Sequence, residues 1–290
     1  MRFSWHTSSV RSAIVAFLSL ALTGGCGVAQ GAEESAQGES GASLRAATQN
    51  PISSMYSLPF KFTFDNGATN GDANFLNIQP VLPVTVGEWN LVNRIIIPLA
   101  NAPGGIPGLP NNPGVGDPSE SGRTSGLGDI NYSVFVSPAK PGKVIWAVGP
   151  SIMMDTATDD QLGSGKWSAG PTAVVLIQPK PWTLGLLGRQ IWNFAGDSDR
   201  KSVNQLLLEP FINYNLDKGW YLITDMILTA NWQADSSNRW TIPLGGGVGK
   251  MFAIGSQKMN TKIEAYYNVE KPDGAPDWSM SWTLQFLFPR

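Results

Sequence analysis

The chain has 290 residues, carries little charge, and is rich in Gly, Pro and Trp, a composition that fits one large domain or two small ones. Its only His is His6 and its only Cys is Cys26, both in or beside a stretch that reads as a removable leader, so the mature chain has neither imidazole nor thiol. That excludes His-based triads, His or Cys metal sites and thiol nucleophiles. The 18 basic against 22 acidic residues left after the leader give no basic surplus for nucleic acid.

In chain order, Arg2 and Arg11 precede the apolar run AIVAFLSLAL and then small residues, the pattern of a secretory signal peptide over residues 1–31. A cut after Ala29 or after Gly31 satisfies the small-x-small rule. The stretch LTGGC leaves open a second reading, lipid attachment at Cys26, although Thr23 stands where Leu is usual. Residues 32–53 are small, polar and acidic, which predicts a flexible periplasmic leader.

From residue 54 to 290 the texture is uniform. Apolar and polar residues alternate with period 2 in about twelve segments: 54–65, 74–86, 89–101, 127–138, 143–156, 165–178, 182–195, 203–216, 220–233, 239–253, 258–270 and 278–289. Each is longer than a usual soluble strand and suits a tilted membrane crossing of about ten residues. The links alternate between short (GEW, SPAKPGK, QPKP, LDKG, AIGSQK) and longer, more polar ones, the longest running from Pro103 to Gly126. This predicts a closed antiparallel transmembrane β-barrel of about twelve strands, with short periplasmic turns and long extracellular loops.

The two faces of each segment support that fold. In 278–289, Trp278, Met280, Trp282, Leu284, Phe286 and Phe288 oppose Ser279, Ser281, Thr283 and Gln285. The bulky set is expected to meet lipid and the polar set to line the lumen. Trp89, Trp182 and Trp220 fall beside short links, and Trp167, Trp192, Trp232, Trp240 and Trp278 beside long ones, as two interfacial girdles would require. Eight prolines (Pro59, Pro80, Pro83, Pro98, Pro150, Pro171, Pro210 and Pro243) conflict with this pattern, because proline cannot donate to a strand ladder.

The stretches SLPFKFTFDNG, NIQPVLPV, WNLVNRIIIPL, GLGDINYSVFVSPA, WAVGPSIMMDTATDDQLGSGKWSAGPTAVVL, WNFAGD and QLLLEPFINYNLDKGW resemble a family of outer-membrane barrels associated by name with meta-pathway phenol degradation, often labelled transporter. The resemblance spans residues 51–290. It implies a porin-like barrel in a Gram-negative outer membrane, with no assigned cargo and no catalytic set. Such barrels close on an aromatic-rich last strand read by the insertion machinery. Phe286 and Phe288 fit that pattern, while the terminal Arg290 departs from it.

Parity places Lys61, Arg94, Asp129, Asp155, Lys166, Arg189, Glu209, Asp225, Lys262 and Glu264 on the lumen side as pore-lining candidates, with Asn77, Gln79, Asn131, Asn193, Asn213, Asn231 and Gln285 as polar partners. A hairpin turning near Asp199 would set Arg189 close to Glu209 as a cross-strand strut. The carboxylates of TATDD (156–160) and GDSDR (196–200) lack the spacing of a dedicated calcium loop, and no carboxylate pair stands out for glycoside hydrolysis. The expected function is a passive porin-like channel for small solutes, among them aromatic or hydrophobic compounds, without cofactor, metal or enzymatic activity. The alternative is a filled barrel with a binding or structural role. Expected partners are outer-membrane lipid, the insertion machinery through the last strand, and a small solute, but not nucleic acid.

Overall fold

The structure, a computed structural model, describes residues 44–110 and 122–289. The proposed signal peptide, Cys26 and most of the expected leader lie outside these residues. Strand follows strand in antiparallel pairing: β1 (Tyr56–Asn66), β2 (Ala73–Ile78), β3 (Val81–Val86), β4 (Trp89–Pro103), β5 (Arg123–Leu127), β6 (Ile130–Pro138), β7 (Val144–Met154), β8 (Lys166–Ile177), β9 (Trp182–Gly196), β10 (Asn204–Asn215), β11 (Trp220–Asp225), β12 (Leu228–Asn231), β13 (Trp240–Ile254), β14 (Gln257–Glu270) and β15 (Trp278–Phe288). Three wall strands are each split in two (β2 with β3, β5 with β6, β11 with β12), so fifteen segments build twelve strands. The ring closes where β1 meets β15, from Tyr56 opposite Phe288 to Asn66 opposite Trp278. The pairing of the described strands thus runs around a closed ring, as a barrel in lipid requires.

Seven of the eight problematic prolines sit at interruptions of the ladder. Pro59 and Pro80 fall between the Phe60–Ile78 and Ser57–Val81 pairs, where Gln79 N–H donates to the Pro59 carbonyl and Ile95 N–H to that of Pro80. Pro98 faces the β5–β6 break and accepts from Gly128 N–H at 2.8 Å. Pro150 and Pro171 lie opposite each other, each beside a gap in the pairing with its other neighbour. Pro210 faces the β11–β12 break, and Pro243 sits at a bulge in β13. Thus the missing N–H of each of these seven prolines falls where no partner awaits it. Pro83, opposite Val92, stands inside a continuous run.

The outer face is apolar. Val84, Val148, Val175, Leu222, Val248 and Ile263 all project outward and are exposed, a belt far larger than a soluble surface tolerates. Aromatic rings mark both rims. At the short-turn end Trp89 meets Trp146 edge-on and Lys250 stands over Trp220; at the long-loop end Trp232 meets Trp240 and Arg239 stands over Trp232.

The interior is more filled than alternation alone predicts. Val92, Phe135, Ala147, Val174, Leu176, Leu187, Leu207 and Phe211 form an apolar cluster on the inner faces of β4 and β6–β10, together with Ile52. On those strands both faces are therefore apolar over part of their length.

Candidate functional site

A cavity of about 320 Å³ lies inside the barrel, in the size range of small-molecule sites. Segments of the chain seat into it from both ends. At the short-turn end, a helical turn over 44–48 and the residues after it dock onto the rim. Arg45 donates to the Leu216 carbonyl at 2.7 Å, Gln178 Nε2 to the Ala46 carbonyl at 2.8 Å, and Gln49 bridges Asn215 Oδ1 and the Thr183 hydroxyl. Ile52 then buries in the apolar cluster. Where the described residues begin, the segment expected to be flexible is therefore docked, because its few apolar side chains find a partner inside the barrel.

At the long-loop end, residues 104–110 turn inward. Ile106 and Leu109 pack with Ala68, Ala73, Ala100, Ala102 and Leu162, and Leu109 and Pro110 reach the cavity. Gly108 adopts φ +78°, a backbone region that suits glycine. A side-chain carbon there would fall 2.6 Å from Thr241 Oγ1.

Of the ten candidate residues, Lys61, Arg94, Asp129, Arg189, Glu209, Asp225 and Lys262 line the cavity. Three do not. Glu264 points inward but is fully buried beneath its neighbours. Lys166 turns its ammonium to the Asp197 carbonyl. Asp155 follows the end of β7 and is half-buried. Among the polar partners, Asn77, Gln79, Asn131, Asn213 and Gln285 line the cavity, whereas Asn193 and Asn231 accept backbone N–H groups of Val203 and Gln233. Asp65, on the same face of β1, joins the lining. The candidate set omitted it, although its parity with Lys61 is the signal that would have found it.

The structure brings Asp225, Lys262 and Glu264 together. The Lys262 ammonium contacts the Asp225 carboxylate and lies 2.9 Å from that of Glu264. The Tyr266 hydroxyl is 2.9 Å from Glu264 Oε1 and accepts the Asp225 backbone N–H at 2.9 Å, a group that the β11–β12 break leaves without a ladder partner. The inner face of β13 beneath this cluster carries Gly245, Gly247 and Gly249. At Gly249 an added carbon would fall 2.1 Å from the Tyr221 ring, which occupies the space a side chain would need.

Asp129 has a different role. Its carboxylate accepts Ser164 N–H at 2.7 Å, the Ser164 hydroxyl at 2.8 Å, and the N–H groups of Thr156 and Ala157. It folds the 155–165 loop against the wall and has little capacity left for a solute. Arg189 and Glu209 do not form the expected strut. The register sets Arg189 opposite Leu207 and Glu209 opposite Leu187, two residues out of step, and Arg189 donates instead to Gln205 Oε1 and the Pro110 carbonyl.

Four cations (Lys61, Arg94, Arg189, Lys262) and four carboxyl groups (Asp65, Asp129, Glu209, Asp225) line the cavity. Phe135, Leu187, Leu207 and Phe211 give it an apolar side, which sequence parity missed. Among the described residues, no group of three or more His, Cys, Asp or Glu is placed to hold a metal ion.

Residues 36–288 match the model of the family described as "Putative MetA-pathway of phenol degradation". The chain belongs to this family. No curated protein matches the sequence. Among solved structures, the chain is similar to a COG4313 outer membrane channel from Pseudomonas putida F1, with a TM-score of 0.58 and 15% identity over 81% of this chain and 94% of that one. Looser likenesses, both with TM-scores of 0.42, are to outer membrane phospholipase A of Escherichia coli (11% identity, 86% and 98% covered) and the toluene transporter TodX of Pseudomonas putida (7% identity, 86% and 91% covered). The barrel described above thus shares its fold with a solved outer membrane channel.

Proposed function

We propose that this family member is an outer-membrane channel of a Gram-negative bacterium that passes small solutes with apolar character through the interior cavity without energy input. The observation that carries this reading is the cavity itself: a chamber lined by both charged and apolar side chains, enclosed by a wall whose outside is apolar. The name of the similar COG4313 channel and the family's association with phenol degradation agree with it. The expected partners are lipid around the belt, the insertion machinery at β15, and the solute. With no His after His6, the reading includes no hydrolytic activity; ester and glycoside substrates should be left intact by the purified protein.

Because the 44–53 and 104–110 segments both enter the barrel, the resting channel is narrow and one of them must move for passage. Reconstitution into planar bilayers tests this. Discrete current steps are expected, more frequent when residues 32–53 are removed. Silence from the full chain and from both truncations, of 32–53 and of 104–122, would favour the second reading, a filled barrel with a binding or structural role. The occupied ends of the lumen are what give that second reading its standing.

A further inference from the structure

Arg189 is buried, lines the cavity, and lacks a carboxylate partner among the described residues. Among the described residues its Nη2 makes two long hydrogen bonds, 3.3 Å to the Pro110 carbonyl and 3.4 Å to Gln205 Oε1. Its Nε has no hydrogen-bond partner among the described residues. Lys262, on the opposite side of the lumen, holds two carboxylates. Glu209 is out of register with Arg189, makes no ion pair with it, and its charge acts on Arg94 as well as on Arg189. Arg94 itself lines the same cavity, has a single hydrogen bond to Gln79 at 3.3 Å, and repels Arg189. Two guanidinium groups sharing one carboxylate that touches neither are costly to take from water, and a further anion is the simplest remedy.

The surroundings indicate what kind of anion. Arg189 faces Thr172 on one side and Leu207 on the other, with Leu187 next along the same face. Phe135 and Phe211 continue this apolar wall. The Nε–Nη edge of a guanidinium matches the fork of a carboxylate, and enclosure strengthens the contact. We propose that Arg189, assisted by Arg94, is the head-group site for a small carboxylate with an apolar tail, bound in the cavity with the tail against Leu187, Leu207 and Phe135. This deepens the channel reading by naming a solute class, and binding is measured without current.

The test uses the purified full-length protein in detergent, titrated calorimetrically with hexanoate and with its neutral isostere hexanamide. Saturable hexanoate binding is expected, with hexanamide weaker by about tenfold or more. Arg189→Gln removes the preference, and Arg189→Lys, which keeps the charge but not the fork, recovers part of it. Heat-modifiability on gels identifies variants that fold, and Arg94→Gln, with a smaller loss of preference expected, serves if the Arg189 variants do not. Equal binding of the two probes by the wild type, or unchanged hexanoate binding in folded Arg189→Gln, overturns the site. Asp117 and Glu120 follow Pro110 in sequence, so Asp117→Asn/Glu120→Gln is measured in parallel. Binding that appears only in that variant shows a counter-charge supplied by the chain itself and also overturns the proposal. Hexanoate selectivity without conductance sinks the channel reading alone; conductance without selectivity sinks this site alone.

Discussion

Arg45 donates to the main-chain carbonyl of Leu216 at 2.7 Å, fastening the segment before β1 to a turn on the far side of the lumen mouth. The bond is exposed and worth about 1 kcal/mol. Arg45→Ala should therefore leave the barrel as stable as before yet make the segment severalfold easier to cut with protease and the channel open more often. Unchanged proteolysis and unchanged opening frequency would mean that Gln49 and Ile52 hold the segment without it.

Gly108 gives the corresponding handle at the other end. Its positive φ and the proximity of Thr241 leave no room for a side chain. Gly108→Val should displace the 104–110 segment, at a cost of about 1–3 kcal/mol to that loop alone, and raise single-channel conductance. If conductance stays at the wild-type level, the inward loop does not set the width of the path.

Lys262 neutralises two buried carboxylates at once. Lys262→Met leaves Asp225 and Glu264 facing each other without a cation, and breaking such a buried pair costs about 3–5 kcal/mol. The temperature at which the compact band on gels is lost should drop clearly. Adding Asp225→Asn and Glu264→Gln to Lys262→Met should restore most of it. A triple variant no better than the single one would show that packing, not charge, is what Lys262 supplies.

Gly249 and Tyr221 form a testable couple. Gly249→Ala sets a methyl group into the Tyr221 ring and breaks its 2.8 Å bond to Asn260, for about 1–3 kcal/mol. Tyr221→Ala makes the same glycine change nearly harmless, so a double-mutant cycle should show strong coupling. Additive losses would place the ring elsewhere.

Much of the wall was legible because lipid and lumen impose period 2. The segment 182–195 is observed as Trp182–Gly196, and 278–289 as Trp278–Phe288. The interior was harder to read. On β10, Leu206 and Leu208 advertise an outer face, but Leu207 and Phe211 are just as apolar and point inward, so hydropathy carries no information about which side is wet. The Arg189–Glu209 strut failed for a related reason: parity gives the face, but a two-residue offset in register decides the contact. The prolines read as objections only while the ladder was assumed unbroken. The docking of 44–53 and of 104–110 depends on a shape that exists only once the ring is closed, and no local pattern encodes it.

The seam between β1 and β15 has a consequence for biogenesis. Every other neighbour in the wall is also a neighbour in sequence, but this one joins residues more than two hundred positions apart. A ribosome has to deliver the final strand before the first can find its mate, so the cylinder cannot be completed during synthesis. Until then both outermost strands present bare main-chain groups, and whatever escorts the polypeptide must shield them.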